Sequence, residues 1–204
     1  MPKKVIALLA EGFEEVEAVT PIDYLRRAGI EVTIAAVGSK SRSKTPVIRG
    51  ARGIPISADT ALESLLGEKK LTPSKWDAVV VPGGLPGAVN LASSKEAGNF
   101  LKAMAKAGKG VFAICAAPAR VLFPLGILEG RDFTCYPGEE EKVLAAGTTA
   151  RWKEDRVVID GNLITSRGAG AAGEFACAII AKLAGGEEAE KIAGKVLLPK
   201  STVA

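Results

Sequence analysis

The residue in this chain best suited to do chemistry is Cys115. It follows an apolar run at residues 110–114, small residues flank it at Ala113 and Ala117, and Pro118 is of the kind that opens helices. Small flanking residues let a strand turn sharply into a helix and present a nucleophile, as glycines do in the elbow of serine hydrolases. A helix beginning near Pro118 would direct its free N–H groups at the sulfur and favour a thiolate near neutral pH. Cys115 is therefore predicted to be the reactive centre; the alternative is a small buried hydrophobe, the usual fate of a cysteine after an apolar run.

The chain contains no histidine. Cys-His pairs, Ser-His-Asp triads and histidine metal sites are therefore excluded within a single chain. The three cysteines lie too far apart in sequence for a zinc knuckle, so we predict neither a metal nor a cofactor. A carboxylate, a tyrosine, backbone dipoles or a partner chain must assist Cys115.

Glu17 is the carboxylate best suited to that role. Glu14, Glu15 and Glu17 are typical of the first turn of a helix, where acidic side chains interact favourably with the positive end of the helix dipole. Glu17 differs from the other two because it lies among apolar residues. Thr20 and Pro21 either cap a second helix or interrupt a continuous one, and both alternatives make the backbone near Glu17 irregular. An ionised Glu17 would repel a thiolate, whereas a protonated one would donate a hydrogen bond to it, and the pair would then titrate as a unit.

Apolar runs alternate with helical patterns along the chain. The predicted strands cover residues 3–9, 31–37, 54–58, 76–81, 110–114, 156–159 and 162–165, with another strand end at 133–137; the predicted helices cover residues 62–66, 95–107, 174–183 and 187–198, and one that ends near 28. This alternation predicts an α/β sandwich with a mostly parallel central sheet, in which ligands bind beyond the carboxyl ends of the strands. Glu17, Gly83–Gly84 and Cys115 each follow a strand and are expected to meet there. The paired glycines either turn N–H groups toward a ligand or form an ordinary tight turn.

Composition restricts the class of protein. A chain of 204 residues with 48% hydrophobic content predicts one domain over residues 1–204, without linker or repeat. The net charge is +4, but the basic residues are scattered, and the densest group lacks aromatic partners, which favours a solvated loop over a nucleic-acid groove. That group is Lys40, Arg42, Lys44, Arg49 and Arg52. An odd number of cysteines predicts a reducing cytoplasm, and the apolar run at 5–10 is too short for a signal peptide or a membrane span.

Three further features are given structural interpretations. Cys177 lies in an apolar helix and is predicted to be core. Cys135 is either a resolving thiol or a core thiol. The glycines of 168–173 match a dinucleotide-binding pattern, but no second strand with an acidic end follows, so NAD is not expected.

Five segments in order resemble the DJ-1/ThiJ/PfpI superfamily, in particular its parkinsonism-associated branch and the bacterial relatives of that branch. They are residues 10–17 (AEGFEEVE), 26–30 (RRAGI), 81–84 (VPGG), 113–118 (AICAAP) and 165–168 (TSRG). The resemblance runs from about residue 4 to residue 198. It implies a flavodoxin-like three-layer sandwich of the class I glutamine amidotransferase-like type and a homodimer.

The resemblance also implies roles for individual residues. The oxidation-sensitive cysteine of the family corresponds to Cys115, and the glutamate that contacts it corresponds to Glu17. Backbone oxyanion donors correspond to Gly84 and Ala116, and Arg52 is similar to an arginine that reaches the site from the partner subunit. Supporting positions are Gly83, Tyr136, Ser166 and Arg167. Tyr136 stands where many members have a histidine, and because the peptidase and amidotransferase branches need that histidine as a base, protease activity is not expected.

What the resemblance implies about function is a stress-response protein with glyoxalase-type or deglycase activity on methylglyoxal, glyoxal or their adducts. The expected partner is a small reactive carbonyl compound, and nucleic acid enters only as a glycated substrate. Two further hypotheses stand beside this one. Cys115 is a redox sensor that is oxidised to a sulfinate without any substrate, or the protein is a redox-linked chaperone, for which the sequence gives no independent support.

Overall fold

The computed structural model describes residues 2–38 and 45–199. The strands are β1 (Lys4–Ala10), β2 (Glu31–Val37), β3 (Val47–Arg49), β4 (Pro55–Ser57), β5 (Thr60–Ala61), β6 (Ala78–Val81), β7 (Gly110–Ile114), β8 (Asp132–Phe133), β9 (Arg151–Trp152), β10 (Val157–Asp160) and β11 (Leu163–Ser166). The α-helices are α1 (Glu15–Arg27), α2 (Leu62–Gly67), α3 (Gly87–Ala92), α4 (Lys95–Lys106), α5 (Glu140–Ala145), α6 (Ala172–Ala184) and α7 (Gly186–Lys195).

Seven strands form the central sheet in the order β10-β11-β7-β6-β1-β2-β5. Every neighbouring pair is parallel except β10 and β11, which correspond to the strands predicted at 156–159 and 162–165 and form an antiparallel hairpin around Asp160–Gly161. Two small sheets, β3–β4 and β8–β9, lie outside it. The prediction of a mostly parallel α/β sheet is confirmed.

Helices cover both faces of the sheet because its central strands are apolar on both sides. In β1, Val5, Ala7 and Leu9 share a core with α1, α6 and α7, whereas Ile6 and Leu8 share a second core with α2, α3 and α4. The three-layer, flavodoxin-like architecture expected from the sequence is therefore confirmed.

Several predicted elements need correction. The strand predicted at 54–58 lies outside the central sheet, because it pairs with β3 as a hairpin. The strand end predicted at 133–137 is reduced to β8, since Thr134 and the residues after it turn across the ends of β7 and β11. Helix α3 was not predicted at all. Of the predicted solvated basic loop, Lys40, Arg42 and Lys44 lie outside the described residues.

None of the helices in the described part of the chain has the length and apolar character needed to cross a membrane.

Candidate active site

Cys115 lies directly after β7 with φ of +65°, in the left-handed region that side chains other than glycine rarely adopt. Two backbone hydrogen bonds hold this conformation: the Cys115 N–H donates to the Ser166 carbonyl at 2.8 Å, and the Tyr136 N–H donates to the Cys115 carbonyl at 2.8 Å. Strain of this kind persists only where the surroundings fix it, and it is typical of functional sites. The side chain is half-buried, which fits a strand-to-helix elbow that presents its sulfur to a cleft.

Two glycines leave room for this elbow. A Cβ atom on Gly83 would lie 2.7 Å from both the Cys115 Cβ and the Glu17 Oε2. A Cβ atom on Gly168 would lie 4.0 Å from the Cys115 Sγ and 3.5 Å from the Tyr136 Cδ2. The glycine pattern at 168–173, which resembles a dinucleotide motif in sequence, therefore lines the cysteine site here.

Glu17 reaches the sulfur from α1. This helix runs through Pro21, so the second-cap alternative is wrong, and its first turn is capped by the Glu14 carboxylate, which accepts from the Glu17 N–H at 2.8 Å. Although its side chain is charged at neutral pH in most proteins, Glu17 is only 1% exposed. The Gly83 N–H donates to the Glu17 Oε2 at 2.9 Å, and the carboxyl group is hydrogen-bonded to the Cys115 thiol.

The pKa of Glu17 is raised from 4.5 to about 7, chiefly because burial penalises the charged form. Hydrogen bonds from Cys115, Gly83 and the Ala169 N–H oppose this rise, and the negative charge of Glu14 adds to it. Because neutral pH lies at this value, Glu17 is available there both as a proton donor and as a proton acceptor. The donor at Ala169 was missed from the sequence, since nothing in a glycine-rich loop marks which amide faces a carboxylate more than 150 residues away.

Burial also raises the pKa of the Cys115 thiol, and so do the negative charge of Glu17 and the hydrogen bond to it. The backbone N–H groups of Gly84 and Ala116 act in the opposite direction because they donate to the sulfur. Cys115 and Glu17 therefore compete for one proton, and a thiolate requires Glu17 to be protonated.

The helix predicted after Cys115 is shorter and less regular than the sequence indicates. Residues Pro118–Leu122 form a π-helical turn, and Phe123–Leu125 form a 3-10 turn. The turn still begins at the elbow, where the Arg120 N–H donates to the Ala116 carbonyl at 2.8 Å, so the Ala116 N–H is one of its free N-terminal donors. The N–H groups of Gly84 and Ala116, predicted as oxyanion donors, supply the stabilisation of negative charge at the sulfur.

A cleft of about 420 Å³ opens over the sulfur. Six of the predicted residues line it, namely Glu17, Arg52, Gly84, Cys115, Ala116 and Tyr136, together with Glu14, Ala51, Leu85, Glu139 and Ala169. Arg52 lines the cleft of its own chain, and its N–H donates to the buried Glu15 Oε1 at 2.7 Å. That Arg52 reaches the site of a partner subunit stays a prediction.

An ion pair that the sequence did not reveal forms one wall of the cleft. The Arg120 guanidinium holds the Glu139 carboxylate through two nitrogens, Nε to Oε2 and Nη2 to Oε1, the second at 2.7 Å. Arg120 keeps the pKa of Glu139 below its ordinary value. The pair joins the turn after Cys115 to the segment that carries Tyr136, whose side chain is 54% exposed at the cleft.

The other predicted residues lie beside the cleft rather than in it. Ser166 is fully buried, and its Oγ donates to the Arg156 carbonyl at 2.9 Å, away from the sulfur. Ser166 therefore acts on the site through its backbone carbonyl, which accepts from the Cys115 N–H. Arg167 lines an adjacent cavity. Cys135 is 1% exposed, and burial and the charge of Glu140 raise its thiol pKa.

Cys177 is confirmed as part of the core, at 1% exposed. Within residues 2–38 and 45–199, no cluster of three or more histidine, cysteine, aspartate and glutamate side chains is arranged to hold a metal ion.

Comparison with known proteins gives concordant matches. Residues 3–182 match the model of the DJ-1/PfpI family. The chain is 38% identical over 196 residues to the Parkinson disease protein 7 homolog of Danio rerio, covering 96% of this chain and 97% of that protein. It is 36% identical over 165 residues to a deglycase of Pyrococcus abyssi, covering 80% of this chain and 89% of that one.

Two DJ-1 homologues of Arabidopsis thaliana are longer, and the chain spans 42% and 47% of their length. Among solved structures, that of oxidised Toxoplasma gondii DJ-1 is similar with a TM-score of 0.83 at 36% identity, covering 96% of this chain and 98% of that one.

Proposed function

The chain belongs to the DJ-1/PfpI family, and on that premise we propose that it is a cofactor-independent enzyme of the glyoxalase or deglycase type. Its substrates are α-oxoaldehydes such as methylglyoxal and glyoxal, or their adducts. One observation carries the proposal: a half-buried cysteine on a strained elbow shares a proton with a buried carboxyl group whose pKa is about 7. The deglycase of Pyrococcus abyssi among its relatives supports the reaction class.

The reaction begins when the Cys115 thiol passes its proton to the Glu17 carboxylate, which gives a thiolate and a neutral Glu17. The sulfur forms a bond to the aldehyde carbon of methylglyoxal, and the carbonyl oxygen takes the proton of Glu17 to give a hemithioacetal. The N–H groups of Gly84 and Ala116, released from the sulfur as its charge disappears, are the donors available to the developing oxyanion.

Glu17, now a carboxylate, removes the proton from the former aldehyde carbon and returns it to the adjacent carbon, while the hydroxyl proton on the former aldehyde oxygen passes to the oxygen of the adjacent carbon. This isomerisation converts the hemithioacetal into a thioester of lactate. Water then cleaves the thioester, which releases lactate and a proton and restores the thiol. The sum is methylglyoxal plus water giving lactate and a proton, so no external oxidant or reductant is required.

Lactate release from methylglyoxal tests the proposal. We expect turnover in the native protein, its loss in Cys115→Ser, and a loss of at least about a hundredfold in Glu17→Gln, in line with removal of a general acid–base group. Cys177→Ser is the matched control, because it removes a thiol from the core and leaves the cleft intact. Full turnover by Cys115→Ser would refute the assignment.

A second candidate function, redox sensing, is favoured by the exposure of the three thiols. Cys115 alone is open to a cleft, whereas Cys135 and Cys177 are each 1% exposed. Two equivalents of peroxide would convert the Cys115 thiolate to a sulfinate and release two waters, and a neutral Glu17 would donate a hydrogen bond to the new oxygen. A relative from Toxoplasma gondii has been solved in an oxidised form.

Mass spectrometry after mild peroxide treatment separates the two functions. Redox sensing predicts two added oxygens on Cys115 before any on the other two cysteines. Equal oxidation of all three thiols would count against a sensor while leaving the enzyme proposal to the lactate assay.

We also propose a homodimer that acts in the cytoplasm. Support for the dimer comes from exposed apolar side chains on α1 and at the β3–β4 hairpin. Their exposed fractions are 48% for Val16, 45% for Val19, 60% for Val47 and 55% for Ile54. The hairpin lies against α1, because the Glu15 carboxylate accepts from the backbone N–H groups of Arg52 and Ile54. Sedimentation of the native protein and of Val19→Lys should give a dimer and a monomer. Free thiols at all three cysteines are consistent with a reducing compartment.

A further inference from the structure

A second cavity of about 400 Å³ adjoins the cleft over Cys115. Tyr136 and Ala169 line both spaces, so the two cavities meet at these residues, and together they are called the groove. The second cavity is lined by Pro137, Arg156, Arg167 and the backbone of residues 168–171. A bare methylglyoxal molecule fills only a small part of the first cavity, so the second lies beyond the reach of such a substrate.

The two ends of the groove differ in charge. Around the sulfur lie Glu14, Glu17 and Glu139, with Glu139 paired to Arg120, and Arg52 lines this end as well. A substrate carboxylate placed at the sulfur itself would lie against the negative charge that Cys115 and Glu17 share, and it would be repelled there. The other end is basic, because two guanidinium groups line it.

The two arginines are not equally available. Arg156 is committed, since its Nε donates to both oxygens of Glu174 at 2.8 and 3.0 Å and its Nη2 donates to the Gly170 carbonyl at 2.6 Å. Arg167 donates through Nη1 to the Glu154 carbonyl at 2.9 Å, and no carboxylate among the described residues pairs with it. This single bond orients the guanidinium while its charge and its remaining donors stay open to a ligand.

The distance between the two ends suits a short molecule. A Cβ atom on Gly168 would lie 4.0 Å from the Cys115 Sγ, and Arg167 is the preceding residue. Because consecutive Cα atoms are 3.8 Å apart, the Arg167 backbone lies within about 10 Å of the sulfur. A linear chain of four bonds spans about 5 Å, and the arginine side chain covers the remainder.

We propose that Arg167 is a carboxylate-binding residue and that the preferred substrates are α-oxoaldehydes, or their adducts, that carry a carboxylate about four bonds from the aldehyde carbon. The aldehyde occupies the end beside Cys115, the chain passes Tyr136, and the carboxylate pairs with the guanidinium. This inference rests on the proposed function and specifies its substrate class.

The test compares 4,5-dioxopentanoate, an α-oxoaldehyde with such a carboxylate, with its methyl ester. We expect kcat/KM to be about tenfold higher for the acid, as one charge-assisted hydrogen bond to a part-exposed arginine supplies. The acid-to-ester ratio should fall to about one in Arg167→Ala and recover in part in Arg167→Lys, which keeps the charge without the planar fork. Arg27→Ala, on the exposed surface of α1, is the matched control and should keep the native ratio.

An equal kcat/KM for acid and ester in the native protein, or a preference that survives in Arg167→Ala, would overturn the inference while leaving the proposed function intact. Failure of both substrates and of methylglyoxal would instead reject the proposed function.

In that event a binding measurement still decides the role of Arg167. The unreactive 4-oxopentanoate should slow alkylation of Cys115 by iodoacetamide, its methyl ester should not, and Arg167→Ala should abolish the difference. Equal protection by the acid and the ester would reject the site.

Discussion

Replacing Glu17 with glutamine should remove a pH dependence from the stability of the protein. The pKa of Glu17 is 4.5 in an exposed carboxyl group and about 7 in the folded protein, because burial penalises the charged form. Between these two values the unfolded chain releases a proton that the folded chain keeps. The stabilisation of the neutral carboxyl is therefore fully present below about pH 4.5 and is lost as the pH rises to about 7.

The magnitude follows from the shift. At 1.36 kcal/mol per pKa unit, a rise from 4.5 to about 7 corresponds to about 3 kcal/mol of unfolding free energy that the native protein loses across this window. Glutamine cannot ionise, so Glu17→Gln is free of that loss. The glutamine amide nitrogen is a donor and would face the N–H group of Gly83 or Ala169, which is also a donor. The lost hydrogen bond lowers the stability of the variant, but by the same amount at every pH.

Urea unfolding of both proteins at half-unit steps from pH 4 to pH 8.5 measures the effect. The difference in unfolding free energy, variant minus native, should rise by about 3 kcal/mol between pH 4.5 and 7 and stay level above that. Glu187→Gln, which alters a solvent-exposed carboxylate at the start of α7, controls for the loss of one glutamate. A difference that does not vary with pH would refute the claim that the fold keeps Glu17 neutral.

Three other perturbations probe the surroundings of the pair. Ala169→Pro removes one N–H donor to Glu17, at the start of a 3-10 turn that tolerates proline. Because this hydrogen bond lowers the pKa of Glu17, its removal should raise that pKa, and the same pH series should show the loss of stability extending to higher pH. Gly83→Ala should destabilise the protein by about 1–3 kcal/mol and slow alkylation of Cys115, because the added Cβ would lie 2.7 Å from the Cys115 Cβ and the Glu17 Oε2. Gly170→Ala is the control and should do neither, because its added Cβ would have no atom within 4 Å. Arg120→Ala should cost about 1–2 kcal/mol at pH 7, and less as the pH falls and Glu139 is protonated; a cost independent of pH would contradict the ion pair.

The sheet was predictable because its signals are local. Strand β2 was predicted at its observed bounds, since a run of seven residues without charge beyond its first is rare outside a buried strand. The hairpin of β10 and β11 follows from an Asp-Gly turn between two apolar runs. Helix α3 was missed because it has only six residues and follows a segment rich in glycine and proline, whose pattern indicates a loop.

The core of the site was predictable for a different reason. Strands β1, β6 and β7 are neighbours in the sheet, so the residues that follow their carboxyl ends must meet. Glu17, Gly83 and Cys115 therefore come together once the sheet is known to be parallel and its strand order is known. Residues that reach the site from longer connections, such as Ala169 and the Arg120–Glu139 pair, carry no periodic signal and were not found.

Residue patterns alone predict only part of the charge stabilisation at the sulfur, and the resemblance to the family supplied Gly84 and Ala116 as the donors. The sequence indicates a helix behind Cys115, and the N–H groups at the start of a helix favour negative charge. Ala116 is such an N-terminal amide, whereas Gly84 comes from a different segment, after β6. The direction in which the Gly84 N–H points depends on the local backbone angles, and φ at Gly84 is +88°. No sequence pattern tells which group such an N–H will face.

This division of donors explains how a site without histidine can transfer a proton. Two amides, Gly84 and Ala116, face the sulfur, and two others, Gly83 and Ala169, face the carboxyl group. Before the proposed addition the one negative charge lies on sulfur, and after it the charge lies on Glu17, so the number of buried charges does not change. Each position of the charge already has its own pair of donors, and the step therefore requires neither a new buried charge nor a reorientation of the backbone. An imidazole would add a cation that this arrangement does not need.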